Sequence, residues 1–163
     1  MDKSQMEQII ADSIVLQKRL VGDYEQYAGE VVSSAAQLIL ESLQRGGRVY
    51  LCGNGGSACD CQHIAGELAG RFMINRDSLP VTALCADTAV VTAIGNDFGY
   101  DQVFAKQLEG TVKSEDVLWG FSTSGTSANI IAAVHTAKKA GAGIIGFTGK
   151  KNTPLEDLSD VCL

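Results

Sequence analysis

The sequence is short of basic charge, of proline and of long apolar runs. Thirteen Lys and Arg stand against 19 Asp and Glu, for a net charge of −6. They form no basic cluster, which excludes nucleic acid or an anionic membrane as the main partner. Any anion this chain binds must be held locally. No stretch approaches the ~20 apolar residues of a membrane helix, and the amino end, MDKSQMEQIIADS, is polar and lacks the apolar core of a signal peptide. The expectation is a cytoplasmic protein with no membrane partner. Five cysteines, Cys52, Cys59, Cys61, Cys85 and Cys162, are an odd set without loop spacing, and they read as free, buried thiols. Against two prolines stand 18 glycines, too evenly spread for a linker. They either punctuate turns or let the backbone approach a ligand. The 163 residues, 45% apolar, suit one domain, 1–163, and a chain of this size buries about 70% of its unfolded surface.

Hydrophobic periodicity predicts two leading amphipathic helices, Ser4 to Leu20 and about Tyr27 to Gln44, the second stopped by Gly46-Gly47. The pattern then changes to short apolar runs alternating with helical segments. Strands are expected at Arg48–Cys52, Val81–Cys85, Asp116–Phe121 and Gly143–Thr148. Helices are expected at Ala58–Gly70, near Thr88–Ile94 and Gln102–Glu109, and at Ser127–Ala140. Pro154 to Leu163 reads as a helical turn leading into a fifth strand. This alternation defines an α/β fold, a doubly wound, mostly parallel sheet flanked by helices, with ligands bound outside the carboxyl ends of the strands. A sheet that stops at its fifth strand leaves one face thinly covered, so a carboxyl-terminal truncation is expected.

Two loops that follow expected strands consist of little but glycine and hydroxyl residues. The first is Gly53-Asn54-Gly55-Gly56-Ser57, with Ser57 placed as a helix N-cap; the second is Ser122-Thr123-Ser124-Gly125-Thr126-Ser127. Free amides, hydroxyls and a helix dipole together attract an anion, and phosphate is the commonest that needs such a site. The alternative for each is a tight turn with a serine cap. A nucleotide P-loop is excluded, because neither loop carries Lys followed by Ser or Thr. Gly53-x-Gly55-x-x-Ala58 fits a loose dinucleotide pattern, yet no acidic residue ends a second strand about 20 residues on.

The helix after the first loop carries Asp60, His63 and Glu67 on one stripe, with Cys61, Ile64, Ala65 and Leu68 on the packing side. His63 and Glu67, four apart, either share a divalent metal, or leave Glu67 as a general base near the loop, or form a solvated pair stabilising by about 0.2–0.5 kcal/mol. The second histidine, His135, sits mid-helix and reads as surface or packing. Gly95-Asn96-Asp97-Phe98-Gly99 is expected as a polar turn whose Asn and Asp suit sugar hydroxyls and plain turns alike.

Taken together, Cys52-Gly-Asn-Gly-Gly-Ser57, His63-x-x-x-Glu67-Leu68, Gly95-Asn-Asp-Phe-Gly99 and Ser122-Thr-Ser-Gly-x-Ser127 resemble the sugar isomerase (SIS) domain family, and within it the phosphoheptose isomerases. That resemblance implies aldose–ketose isomerisation of sedoheptulose 7-phosphate to D-glycero-D-manno-heptose 7-phosphate, for bacterial heptose in lipopolysaccharide or capsule. It implies substrate contacts at Asn54, Gly55, Gly56, Ser57, Glu67, Asn96 and Asp97, and a phosphate held at Ser122, Thr123, Ser124 and Ser127. Glu67 is the implied base, His63 and Glu67 are implied zinc ligands, and a homotetramer is the implied assembly. The family's further Gln-Glu-x-x-His-like segment, with two more metal ligands, does not occur in this sequence. If these residues are the whole molecule, weak zinc affinity and little activity follow. The alternative is a non-catalytic SIS domain that binds a phosphosugar or a protein as a regulator; the family's replication-initiation regulator lacks the glutamate that Glu67 supplies here.

Overall fold

In the computed structural model the backbone of all 163 residues is described, as is every side chain except those of Gln26 and Tyr27. The first element is one helix, α1 (Lys3–Gln44), in place of the two expected. Nothing between Leu20 and Tyr27 stops it: Gly22 and Asp23 are poor helix formers, but without a proline their cost is only about 1 kcal/mol or less each. A capping box opens α1. The Asp2 amide donates to Gln5 Oε1 at 2.9 Å, and the Gln5 amide donates to Asp2 Oδ1 at 2.8 Å.

The chain falls into two units, Met1–Ser33 and Ser34–Leu163. The first is helix alone, with Ile9, Ile10, Val15, Leu16 and Val21 all more than half exposed. The second contains a five-stranded sheet, β1 (Val49–Gly53), β2 (Val81–Ala83), β3 (Val117–Phe121), β4 (Gly143–Phe147) and β5 (Val161–Cys162), in the order β2-β1-β3-β4-β5 and parallel throughout. Between the strands run α2 (Gly56–Ala69), α3 (Thr88–Phe98), a single 3-10 turn (Tyr100–Gln102), α4 (Ala105–Leu108), α5 (Ala128–Ala140) and α6 (Pro154–Leu158).

Local chemistry sets most boundaries. Asp87 caps α3 by accepting from the Val90 amide, and Thr153 caps α6 ahead of Pro154 in the first turn. Gly141, left-handed at φ +84, ends α5. The central strands β1, β3 and β4 are largely buried on both faces, as parallel sheets require, and the edge strands β2 and β5 are half-buried. On one face Leu118 and Ile144 pack with Phe104, Leu108, Ile130, Val134 and Leu155. On the other, Val49, Leu51 and Phe121 meet Cys61 of α2, while Val117 and Ile145 meet Ala35. Each fully buried large apolar side chain contributes about 1.5–3 kcal/mol.

The winding places the site. From β1 the chain goes to β2 on one side, and β3 returns to the other side of β1. The switch point therefore lies between β1 and β3, whose ends are level, Gly53 beside Phe121. A doubly wound sheet binds its ligand in the crevice outside such a point.

Candidate active site

The glycine loop leaves β1 at this switch point and the hydroxyl loop leaves β3 beside it. Gly53 has no room for a side chain: an added Cβ would lie 2.7 Å from the Ser57 carbonyl oxygen. The loop folds tightly onto the start of α2, which begins at Gly56 with Gly55 as N-cap and no side-chain cap. Ser57 is therefore not the expected cap but lies inside the first turn of the helix. The cause is Gly55, whose positive φ of +56 lets the helix start before any hydroxyl is in place.

In the second loop the hydroxyls bond one another. Ser122 Oγ lies 2.8 Å from Ser127 Oγ and 3.4 Å from Ser124 Oγ, and Thr126 Oγ1 donates to Ser124 Oγ at 3.0 Å. Ser127 is the N-cap residue of α5, yet its hydroxyl turns to Ser122 and makes no cap bond. Ser122 is buried, whereas Thr123 and Ser124 are exposed. Hydroxyls that satisfy each other at a helix start exchange readily to an incoming anion.

Three residues outside the sequence motifs organise these loops. Asn129, only 3% exposed, forms a reciprocal amide pair with Asn54: Asn129 Nδ2 donates to Asn54 Oδ1 at 2.8 Å and Asn54 Nδ2 donates to Asn129 Oδ1 at 2.9 Å. Tyr100 Oη donates to the same Asn54 oxygen at 3.0 Å. Asn54 thus joins the two loops and keeps one amide hydrogen for a ligand. Thr153 packs so closely on Gly125, at φ +68, that a Cβ there would collide with it, and the Leu155 amide donates to the Gly125 carbonyl at 3.1 Å. The start of α6 thereby braces the hydroxyl loop. Asn129 carried a weak signal, an amide just inside a helix after a hydroxyl loop; Thr153 carried none.

A cleft of about 510 Å³ opens against both loops, lined by Ser57, Asp60 and His63 of α2, by Trp119 and Phe121 of β3, and by Ser122, Thr123 and Phe147. The aromatic rings form its floor, with centroids of Trp119 and Phe121 5.1 Å apart and of Phe121 and Phe147 5.3 Å apart. Trp119 Nε1 is buried with no hydrogen-bond partner among the described residues. His63 Nε2 and Glu67 Oε1 stand 3.3 Å apart on the open side of α2. Arg76 holds that end of the helix, donating to the Glu67 and Leu68 carbonyls at 2.8 Å each.

Of the sequence-predicted residues, the structure brings Ser57, His63, Ser122 and Thr123 to the cleft, links Glu67 to His63 and Ser127 to Ser122, and ties Asn54 across the loops. Asn96 and Asp97 do not join them. Instead of a turn they form the last turn of α3, exposed, with Asn96 Nδ2 donating to Asp97 Oδ1 at 2.9 Å. The five cysteines are free, but Cys59 is exposed rather than buried and Cys85 and Cys162 are half-buried. His135 is exposed on α5. No helix among the described residues is long and apolar enough to cross a membrane.

As a test for a metal, the donors on α2 fall short. Among the described residues no third His, Cys, Asp or Glu joins a cluster that could hold an ion, and a closed zinc site takes four ligands. These residues supply two.

A five-stranded parallel sheet with a hydroxyl loop and a glycine loop at its switch point defines an SIS domain, and the model of that family matches residues 15–149. The phosphoheptose isomerase of Roseiflexus sp. (strain RS-1) is 47% identical over 133 residues, 82% of this chain and 68% of that protein. Among solved structures, the phosphoheptose isomerase of Neisseria gonorrhoeae superposes with a TM-score of 0.90 at 38% identity, covering 96% of this chain and 84% of that one. That of Francisella tularensis gives 0.85 at 31% identity, covering 99% and 85%. The chain belongs to the phosphoheptose isomerase family and is by that membership a sugar-phosphate isomerase of the aldose–ketose type.

Proposed function

We propose that this chain interconverts sedoheptulose 7-phosphate and D-glycero-D-manno-heptose 7-phosphate, in the cytoplasm, for bacterial heptose-containing surface polysaccharide. The observation that carries the reading is the placement of His63 and Glu67 on the helix launched from the glycine loop, beside a hydroxyl loop at the same switch point. Ser122, Thr123, Ser124 and Ser127 take the phosphate, with the unblocked start of α5 adding its dipole. The sugar's hydroxylated chain lies toward Asn54, Gly55, Gly56 and Ser57. A phosphate fixed away from the reacting carbons orients them without weakening the bond that must break. The Glu67 carboxylate then removes the proton next to the carbonyl and returns it to the neighbouring carbon through an enediol. His63, 3.3 Å from that carboxylate, orients it.

Zinc is proposed as the ion that His63 and Glu67 bind; the two donors hold it weakly, and no step above runs through it. Glu67→Gln keeps size and hydrogen bonding but removes the base. Exchange of the substrate's C–H with deuterium oxide, followed by NMR, should fall at least 100-fold in this variant, while phosphosugar affinity changes less than about 3-fold. Unchanged exchange sinks the assignment of Glu67, and loss of both points to a binding role alone.

A further inference from the structure

Asn129 belongs to both loops at once. As the second residue of α5, just after the Ser127 N-cap, it contributes one of the main-chain amides that a helix start leaves without an intrahelical partner. Its side chain, only 3% exposed, reaches the glycine loop and pairs with Asn54 through both halves of the amide, at 2.8 and 2.9 Å. Most side-chain hydrogen bonds go to main chain or water. This buried amide instead takes both its partners from one half-buried side chain 75 residues away. Tyr100, from the 3-10 turn, adds a third bond by donating to Asn54 Oδ1 at 3.0 Å.

Asn54 needs such a tie. It stands between Gly53 and Gly55, the latter at φ +56, so the neighbouring main chain does little to fix its side chain. With Asn129 and Tyr100 in place, both lone pairs of Oδ1 are filled, and the group cannot turn without breaking three hydrogen bonds. What remains is the second Nδ2 hydrogen, a donor of fixed direction.

We infer that Asn129 is a positioning residue that couples the phosphate end of the site to the sugar end: its main chain belongs to the anion-binding start of α5, and its side chain, with Tyr100, holds the Asn54 N–H ready for a substrate oxygen. The inference rests on the phosphosugar reading proposed above and adds a source of its specificity. A bare phosphate ion uses the hydroxyl loop and the α5 amides and gains nothing from Asn54. A sugar phosphate gains a preorganised donor as well, because the ordering of that donor is completed on folding rather than on binding. The device therefore discriminates a phosphorylated sugar from the anion alone.

Calorimetric titration of the whole chain with inorganic phosphate and with sedoheptulose 7-phosphate reads the two ends separately. Asn129→Leu keeps the bulk and the main-chain amide but removes both side-chain bonds. Affinity for sedoheptulose 7-phosphate should fall about 10-fold, the loss of one aligned hydrogen bond, while phosphate affinity stays within about 2-fold. Tyr100→Phe, at an exposed position, removes a single bond and should lower sugar-phosphate affinity about 3-fold with phosphate again unmoved. A role in folding alone would weaken both ligands together, so equal losses overturn the inference, as does an unchanged preference for the sugar phosphate in the variants. If Asn129→Leu does not fold, Tyr100→Phe decides by the same ratio. An unaltered chain that binds phosphate with no preference for the sugar phosphate overturns the phosphosugar reading itself, and the inference with it.

Discussion

Single residues at the site act through their neighbours more than through their own chemistry. Gly125 is the sharpest case. It sits at φ +68 against the Thr153 side chain, while its carbonyl accepts from the Leu155 amide. Gly125→Ala therefore adds left-handed strain of about 1–3 kcal/mol and also pushes Thr153 off the α6 cap it makes with the Glu156 amide. The melting temperature should drop by about 5 °C or more, at roughly 2–4 °C per kcal/mol for a chain of this size, and binding of inorganic phosphate should weaken several-fold. A melt within 1 °C of the unaltered chain would contradict the brace. The glycine itself was legible in the sequence because it lies inside a run of hydroxyls after a strand. Its partner was not, since Thr153 is distant in the chain and a threonine before a proline signals only a helix start. Asn54 shows the same limit. Its place in the loop was plain, but only the fold reveals that its oxygen is taken up by Asn129 and Tyr100.

At the scale of elements, the strands were easy to read and the helix limits were not. β1 and β4 are short apolar runs flanked by glycine and β3 is one that runs into the hydroxyl loop, and their burial leaves that pattern no competitor. The segment after Thr88 is harder. Gly95, Asn96 and Asp97 are turn residues by local propensity, yet α3 carries on to Phe98, because Val91 and Ile94 pack on the core and hold the helix in register beyond them. For α2 the spacing was enough to place Cys61 inward and His63 outward, since a 3.6-residue period fixes both at once. It could not tell a solvated pair from a metal pair, and the geometry now predicts the outcome. With two donors in reach, zinc titrated into the chain should bind at micromolar affinity or weaker, and His63→Ala should abolish that binding without shifting the melt by more than about 1 °C. Nanomolar binding by the unaltered chain would show that further ligands meet the pair.

For the whole molecule the unsettled surface is the helix of Met1–Ser33. An amphipathic helix keeps its apolar stripe only by burying it, yet Ile9 is 56%, Leu16 55% and Leu20 52% exposed in the single chain. These three are seven and four residues apart, two helical turns and then one, with Met6 and Ile10 alongside, so they lie on one apolar stripe. The acidic chain offers no charge pattern that would draw a polyanion or a membrane to it. The simplest partner is a second copy, whose identical stripe is self-complementary about a two-fold axis. Burying several such side chains, at about 1.5–3 kcal/mol each, outweighs the cost of association. We propose a homotetramer, built as paired dimers through this helix. Light scattering on a gel-filtered sample at 20 µM should return about four times the 17.2 kDa chain mass. Ile9→Glu with Leu16→Glu should lower the mass to dimer or monomer, since each puts a charge into the proposed seam. The unaltered chain eluting as a monomer would overturn the assembly, and a tetramer indifferent to both substitutions would move the interface to another face.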